Sequence, residues 1–197
     1  MSPLSLLLVL VGYVLGSVSF AVLLVRWKTG RDIRTEGSGN AGATNVLRAH
    51  GRTLGLMVAF FDVAKGAAAV LLVRAFTSDP RAAAGAALAA ILGHVFPIFY
   101  GFRGGKGVAT AVGAFLVLAP LPALVCVGVF VAVVALSRYV SLGSIVAMAI
   151  LPAVAGLFHS PFPVIAAAAA AAVVIVLKHL ENLKRLVRGD ERKIGAK

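Results

Sequence analysis

Two stretches of this chain, residues 107–137 and 139–177, run for 31 and 39 positions without a charged side chain. As one helix the longer would reach ~58 Å, about twice the ~30 Å hydrocarbon core of a bilayer. In water, runs of this kind would leave more apolar surface exposed than a soluble domain tolerates. Composition agrees, with 60% apolar residues, 13% charged residues and a mean hydropathy of +1.00. A soluble enzyme, a disordered tail and a disulfide scaffold are excluded, and the single cysteine, Cys126, reads as an inert buried thiol. The solvent that fits is lipid.

Further apolar segments lie at 3–25, 54–76 and 82–100, the second of them containing Asp62 and Lys65. The first has no preceding cation and is too long for a cleavable signal peptide. The 139–177 stretch is broken at His159-Ser160-Pro161-Phe162-Pro163 into two helices. The 107–137 stretch fits either one tilted helix or two short ones joined at Pro120. Charge decides between them. With two helices there are seven spans, and sixteen of the nineteen Lys and Arg residues fall on the side of the C-terminal tail, Lys197 included. Because cationic loops stay in the cytoplasm, the expected fold is an all-α integral membrane protein of seven transmembrane helices. Its N-terminus lies outside and its C-terminus in the cytoplasm, with residues 1–197 forming a single domain. The net charge of +12 then reads as topology and anionic lipid, with no nucleic-acid partner. The tail from Lys178 reads as the last helix continuing into water and stopping at Gly189-Asp190.

Three polar constellations fall on the cytoplasmic side. The first, Glu36-Gly37-Ser38-Gly39-Asn40-Ala41-Gly42-Ala43-Thr44-Asn45-Val46-Leu47-Arg48, combines glycines, neutral donors and one planar cation. That is the composition of an anion nest feeding a helix N-terminus, suited to a phosphate; a plain inter-helix loop is the simpler alternative. The second runs from Gly93 to Thr110 through Arg103-Gly104-Gly105-Lys106-Gly107. It fails as a nucleotide P-loop, because its glycine spacing is one residue short and Gly107 stands in place of Ser/Thr. Lys106 still offers a mobile charge for an anion, although Arg103 and Lys106 also fit ordinary topological cations. His94 has no second ligand at metal spacing and reads as a satisfied helix residue. The third is His179-Leu180-Glu181-Asn182-Leu183-Lys184-Arg185, in which His179 and Asn182 share a helix face. Lipid-facing cations account for Lys184, Arg185 and Arg188, but not for the His–Asn pair. Asp62 and Lys65, three residues apart, read as a neutralising pair inside a helix interface.

In this order, GSGNAGATNVLR, GHVFPIFYGFRGGKGVAT, RYVS and HLENLKRLVRGDERKIG resemble the motifs of the bacterial acyl-phosphate:glycerol-3-phosphate acyltransferases over the whole chain. Ala41 stands where that family commonly has proline, and Leu183 where it commonly has isoleucine. The resemblance implies transfer of a fatty acyl group from acyl phosphate to the 1-hydroxyl of glycerol 3-phosphate, giving lysophosphatidic acid and phosphate, the first step of phospholipid synthesis. Ser38, Arg48, Lys106, His179 and Asn182 would be catalytic. Gly39, Asn40, Gly42, Thr44, Asn45, Gly104, Gly105, Gly107 and Ser141 would bind substrate. The protein would sit in the bacterial cytoplasmic membrane, function as a monomer, and need no cofactor or metal.

The residues alone agree that two doubly charged phosphates must be held together against repulsion, for which two basic, glycine-lined pockets are suited. Acyl phosphate is already activated, so positioning and charge stabilisation suffice. The hydroxyl proton goes to His179 or to a substrate phosphate; the phosphate is favoured, since no carboxylate is placed to orient a catalytic His. The residues five after His50, His94, His159 and His179 are Gly55, Phe99, Val164 and Lys184, so the His–Asp dyad of thioester-dependent acyltransferases is absent. An organic-phosphate transporter is the rival reading. It would carry its anion site near the midplane on broken helices.

Overall fold

The computed structural model describes residues 1–195; Lys197, counted above among the tail cations, lies outside the described residues. The described chain is helical throughout, with α1 Pro3–Ser17, α2 Phe20–Thr29, α3 Ala43–His50, α4 Arg52–Phe76 and α5 Pro80–Val95. These are followed by α6 Val108–Leu118, α7 Pro120–Ser137, α8 Val140–Leu157, α9 Phe162–Lys178 and α10 Leu180–Arg188. Prolines set several starts: Pro3, Pro80 and Pro120 each occupy a first-turn position, where the missing N–H costs nothing. The side chains of Ser2 and Asp79 cap α1 and α5.

Among the described residues five stretches are long and apolar enough to cross a membrane, and α9 with α10 makes a sixth if that bent pair counts as one. The 107–137 run is indeed two helices, divided at Ala119-Pro120. The first of them, α6, has 11 residues and reaches only roughly 16 Å, so by length alone it is not a full span. The segment that begins at Pro3 continues to Thr29 rather than stopping at Val25, and it is interrupted at Val18-Ser19. Ser19 caps the second half, its Oγ accepting from the Val22 N–H.

The chain forms two compact units, Met1–Leu118 and Ala119–Lys197. In the first, α1 packs along α5, and α4 along α6. These seams are built on glycine. A Cβ on Gly16 would overlap the Ala90 carbonyl, one on Gly93 the Tyr13 carbonyl, and one on Gly113 the Val63 carbonyl. Small residues let backbones approach where lipid supplies no hydrophobic drive between helices.

In the second unit α8 lies between α7 and α9, and a Cβ on Gly143 would stand 3.0 Å from Phe130 O. Leu136 and Phe162 are 89% and 79% exposed, as side chains facing lipid are. The tail corrects the expectation of a continuous last helix. The chain breaks at His179 and α10 turns by 55° from α9. Its polar and apolar faces are strongly segregated, so it lies better along an interface than through one. The expected stop holds: Gly189 ends α10 in the left-handed conformation at φ 78°. The chain then folds back, Ile194 N–H donating to Arg138 O at 2.8 Å and the Arg138 side chain donating from Nη2 to Ile194 O at 3.1 Å.

Candidate active site

The first constellation is tied from within by one side chain. Asn45, on the first turn of α3 and 4% exposed, accepts the Ser38 N–H on Oδ1 at 2.9 Å. Its Nδ2 donates to the carbonyls of Glu36, Asn40 and Ile33 at 3.0, 3.1 and 3.3 Å. The amide is therefore committed to loop backbone at both ends, and Asn45 shapes the nest rather than offering its side chain to a ligand. Gly37 and Gly39 take the left-handed φ values, 60° and 70°, that turn the chain around it. Gly42 caps α3 without a side-chain bond, so the helix presents backbone N–H groups at Ala43 and Thr44. Ser38 and Arg48 are exposed beside them, Asn40 and Thr44 half-buried.

Asp32, just upstream, binds Arg26 at 2.6 Å and Arg34 at 2.7 Å, and Arg34 reaches across to donate to Tyr100 O at 2.9 Å. The Arg34 hydrogen bonds outweigh burial and hold the Asp32 carboxyl well below its usual range, and Asp32 in turn raises Arg34. Both arginines are among the sixteen cations counted on the side of the C-terminal tail. Arg34 also pins the first loop to the second.

The second constellation meets the first at Gly105. Its N–H donates to His94 O at 3.1 Å. A Cβ there would run into the His94 ring at Nε2 and stand 2.8 Å from Ala41 O. Gly104 is as tightly placed, with no room for a Cβ against the His94 carbonyl. Lys106 follows, half-buried, and Gly107 turns at φ 90° into the start of α6. Glycine is required here by close approach, which explains the composition that the spacing alone left open.

In the second unit, Ser141, Asn182 and Arg185 converge on a residue that sequence reading left without a role. Glu191 is 7% exposed. Its Oε1 accepts from Ser141 Oγ at 2.8 Å and Asn182 Nδ2 at 2.7 Å, and its Oε2 from Arg185 Nε at 2.7 Å. Burial pushes its carboxyl up, but the bonds from Arg185, Asn182 and Ser141 prevail and leave it below its ordinary value. His179, 3% exposed at the α9–α10 break, sets Nδ1 2.8 Å from Ile175 O. A carbonyl can only accept, so Nδ1 carries the hydrogen and the neutral ring's lone pair lies on Nε2. A backbone carbonyl thus orients this ring.

Asp62 and Lys65 are paired at 2.7 Å, as expected, and both are buried. His94 joins them, its Nδ1 3.0 Å from Lys65 Nζ. A satisfied helix histidine was expected; the lysine as its partner was not. Among the described residues no group of three His, Cys, Asp or Glu side chains is placed to hold a metal ion.

Residues 6–189 match the family model described as glycerol-3-phosphate acyltransferase. The chain is 46% identical to the glycerol-3-phosphate acyltransferase of Shouchella clausii, covering 96% of this chain and 95% of that one. It is 45% identical to that of Anaeromyxobacter dehalogenans, covering 98% and 100%. Among solved structures it is similar to PlsY (YgiH), an integral membrane glycerol 3-phosphate acyltransferase, in its glycerol 3-phosphate form. The TM-score is 0.92, with 40% identity over 97% of this chain and 96% of that one. The lysophosphatidic acid form of PlsY matches with a TM-score of 0.88 and 38% identity, over 97% and 95%.

Proposed function

Because the chain belongs to the glycerol-3-phosphate acyltransferase family, we propose that its acyl donor is acyl phosphate and its product lysophosphatidic acid. The 1-hydroxyl oxygen of glycerol 3-phosphate bonds to the acyl carbon, the anhydride bond breaks, and inorganic phosphate leaves with the hydroxyl proton. The carrying observation is the meeting, at Gly105 and Ala41, of two glycine-lined loops, one followed by Arg48 on α3 and the other carrying Lys106. Two phosphate-bearing reactants need two such holds, because side by side they repel. The start of α3, Thr44, Arg48 and Ser38 hold one phosphate, while Lys106, carried on the turn that Gly104, Gly105 and Gly107 shape, holds the other. His179 and Asn182 orient the glycerol backbone, Ser141 supports Asn182 through Glu191, and Gly39, Asn40, Gly42 and Asn45 contribute the shape of the first loop.

No separate nucleophile is required, since the donor arrives as a mixed anhydride. The departing phosphate takes the proton, and His179 Nε2 accepts a hydrogen bond from a glycerol hydroxyl. His179→Ala then retains measurable turnover; complete loss restored by added imidazole would make His179 the base instead.

The topology that suits this chemistry has seven crossings, with α6 as a short one, the N-terminus outside and the C-terminus inside. The cation distribution supports it. The protein acts as a monomer in the bacterial cytoplasmic membrane, with the site open to the cytoplasm that supplies glycerol 3-phosphate.

The test is purified protein in proteoliposomes given labelled glycerol 3-phosphate with either acyl phosphate or acyl-CoA. Lysophosphatidic acid forms with acyl phosphate only. Product from acyl-CoA alone overturns the donor assignment, and unmodified glycerol 3-phosphate inside the vesicles means a transporter.

A further inference from the structure

Lys65 is 6% exposed, in the middle of a helix long enough to cross the membrane. A charge there is costly and marks function by default. Its ammonium has three hydrogens and three neighbours, each on a different element. Nζ lies 2.8 Å from Val18 O at the α1–α2 break, 2.7 Å from Asp62 Oδ1 on α4, and 3.0 Å from His94 Nδ1 on α5. The contact with Asp62 is an ion pair whose axis lies off the hydrogen-bond direction, while Val18 O is a strongly placed acceptor.

The third contact has a chemical consequence. An ammonium can only donate, so His94 Nδ1 is the acceptor and the ring hydrogen sits on Nε2. Asp62 Oδ1 is 3.5 Å from the same Nδ1, too far to draw the hydrogen there. The Nε2 edge of that ring is the surface on which Gly105 rests, and the His94 carbonyl takes the Gly105 N–H. Backbone and ring of one residue therefore template the turn that immediately precedes Lys106.

A hydrophobic filling of the same volume would be as stable as a buried ion pair, or more so, so stability does not account for the lysine. We propose that Lys65 is a positioning residue for the acyl-transfer reaction. By holding His94 as its Nε2–H tautomer and tethering the Val18 carbonyl, it fixes the Gly104-Gly105 turn that delivers Lys106 to a substrate phosphate. The inference rests on the acyl-transfer reading above, with Lys65 acting through His94 and Lys106 and touching no substrate.

The first test is independent of turnover. In protein labelled with ¹⁵N-histidine, with His94 assigned by its loss in His94→Gln, the His94 ring gives the Nε2–H pattern. In Lys65→Met it becomes a mixture of tautomers. The second test is kinetic. Lys65→Met raises KM roughly 10- to 100-fold, the usual effect of removing a charged hydrogen-bond donor, for the same substrate whose KM Lys106→Ala raises. His94→Gln, whose amide N–H replaces Nε2–H, retains more activity than His94→Asn. Asp62→Asn with Lys65→Met removes both charges together, and it guards against misfolding from an unpaired buried carboxylate; it shows the same KM defect with an unfolding midpoint near that of the native protein.

An Nδ1–H pattern in the native protein overturns the inference. So does an unchanged KM in folded Lys65→Met, or a defect in the other substrate. Failure of the acyl-phosphate reading would appear differently, as absence of turnover in the unsubstituted protein with the tautomer result intact.

Discussion

Asn182 Nδ2 donates to Glu191 Oε1 at 2.7 Å, and the same oxygen accepts Ser141 Oγ at 2.8 Å. A residue beyond the end of α10 thereby joins the first turn of α8 to α10 within the second unit. Asn182, one of the two side chains proposed to orient the glycerol backbone, thus owes its placement to a carboxylate that also holds Ser141. Arg185 completes the arrangement on Oε2, so the acid has polar partners on both oxygens.

Glu191→Ala leaves Ser141 and Asn182 without their acceptor and should cost about 2 kcal/mol or more, seen as a lower unfolding midpoint in detergent and loss of turnover. Glu191→Gln keeps an acceptor oxygen for Ser141 and Asn182 but surrenders the charge and sets its amide NH2 against the Arg185 N–H. It should lie between the native protein and Glu191→Ala on both measurements. Equal midpoints for the two variants would contradict this arrangement.

The same carboxylate sets a pH dependence. Its folded value lies below its ordinary one, so the stability it supplies is complete above the ordinary glutamate range and is lost as pH falls through the depressed folded value. The difference in unfolding midpoint between native protein and Glu191→Gln should therefore be constant at neutral pH. It should shrink below about pH 4. A difference that grows on acidification would reverse the sign and refute the assignment.

Asn45→Asp preserves the acceptor for the Ser38 N–H but turns the donor toward Ile33, Glu36 and Asn40 into an anion facing three carbonyls. The first loop should open, read as faster proteolysis within residues 36–42. Turnover should fall by roughly tenfold or more, since an unpaired buried charge costs well over 1.4 kcal/mol.

The glycine seams give a paired test. Gly113→Ala forces a methyl into the Val63 carbonyl and should destabilise by roughly 1–3 kcal/mol. Gly128→Ala on α7 meets nothing within 4 Å and should be neutral or slightly stabilising, because alanine is the better helix former. Unfolding midpoints of the two variants, measured side by side, settle the comparison.

Gly105→Ala brings the same kind of clash to the meeting of the two loops, against His94 and Ala41. Because Gly105 lies in a loop rather than a helix seam, its effect should fall more heavily on turnover than on unfolding midpoint. The reverse order would place Gly105 in the core and not at the site.

Sequence alone determined the membrane class, the break at Pro120, the stop at Gly189 and the polar segments between the apolar ones. Each is a local property: hydropathy over a window, a missing N–H, a left-handed turn, a motif of contiguous residues. The family resemblance, drawn from those same contiguous motifs, agrees with the family match over residues 6–189. Tertiary structure decided what depends on partners distant in the chain. Asn45 was legible as polar, but not as the knot that consumes its own amide, because that requires the loop to be closed around it. Glu191 was visible as a carboxylate in the tail, yet its partner Ser141 stands fifty residues away. Lys65 and Asp62 were legible as a pair from their i, i+3 spacing. His94, twenty-nine residues further on, entered only when α4 and α5 packed together, because hydrogen bonds depend on distances in space and sequence separation does not encode them.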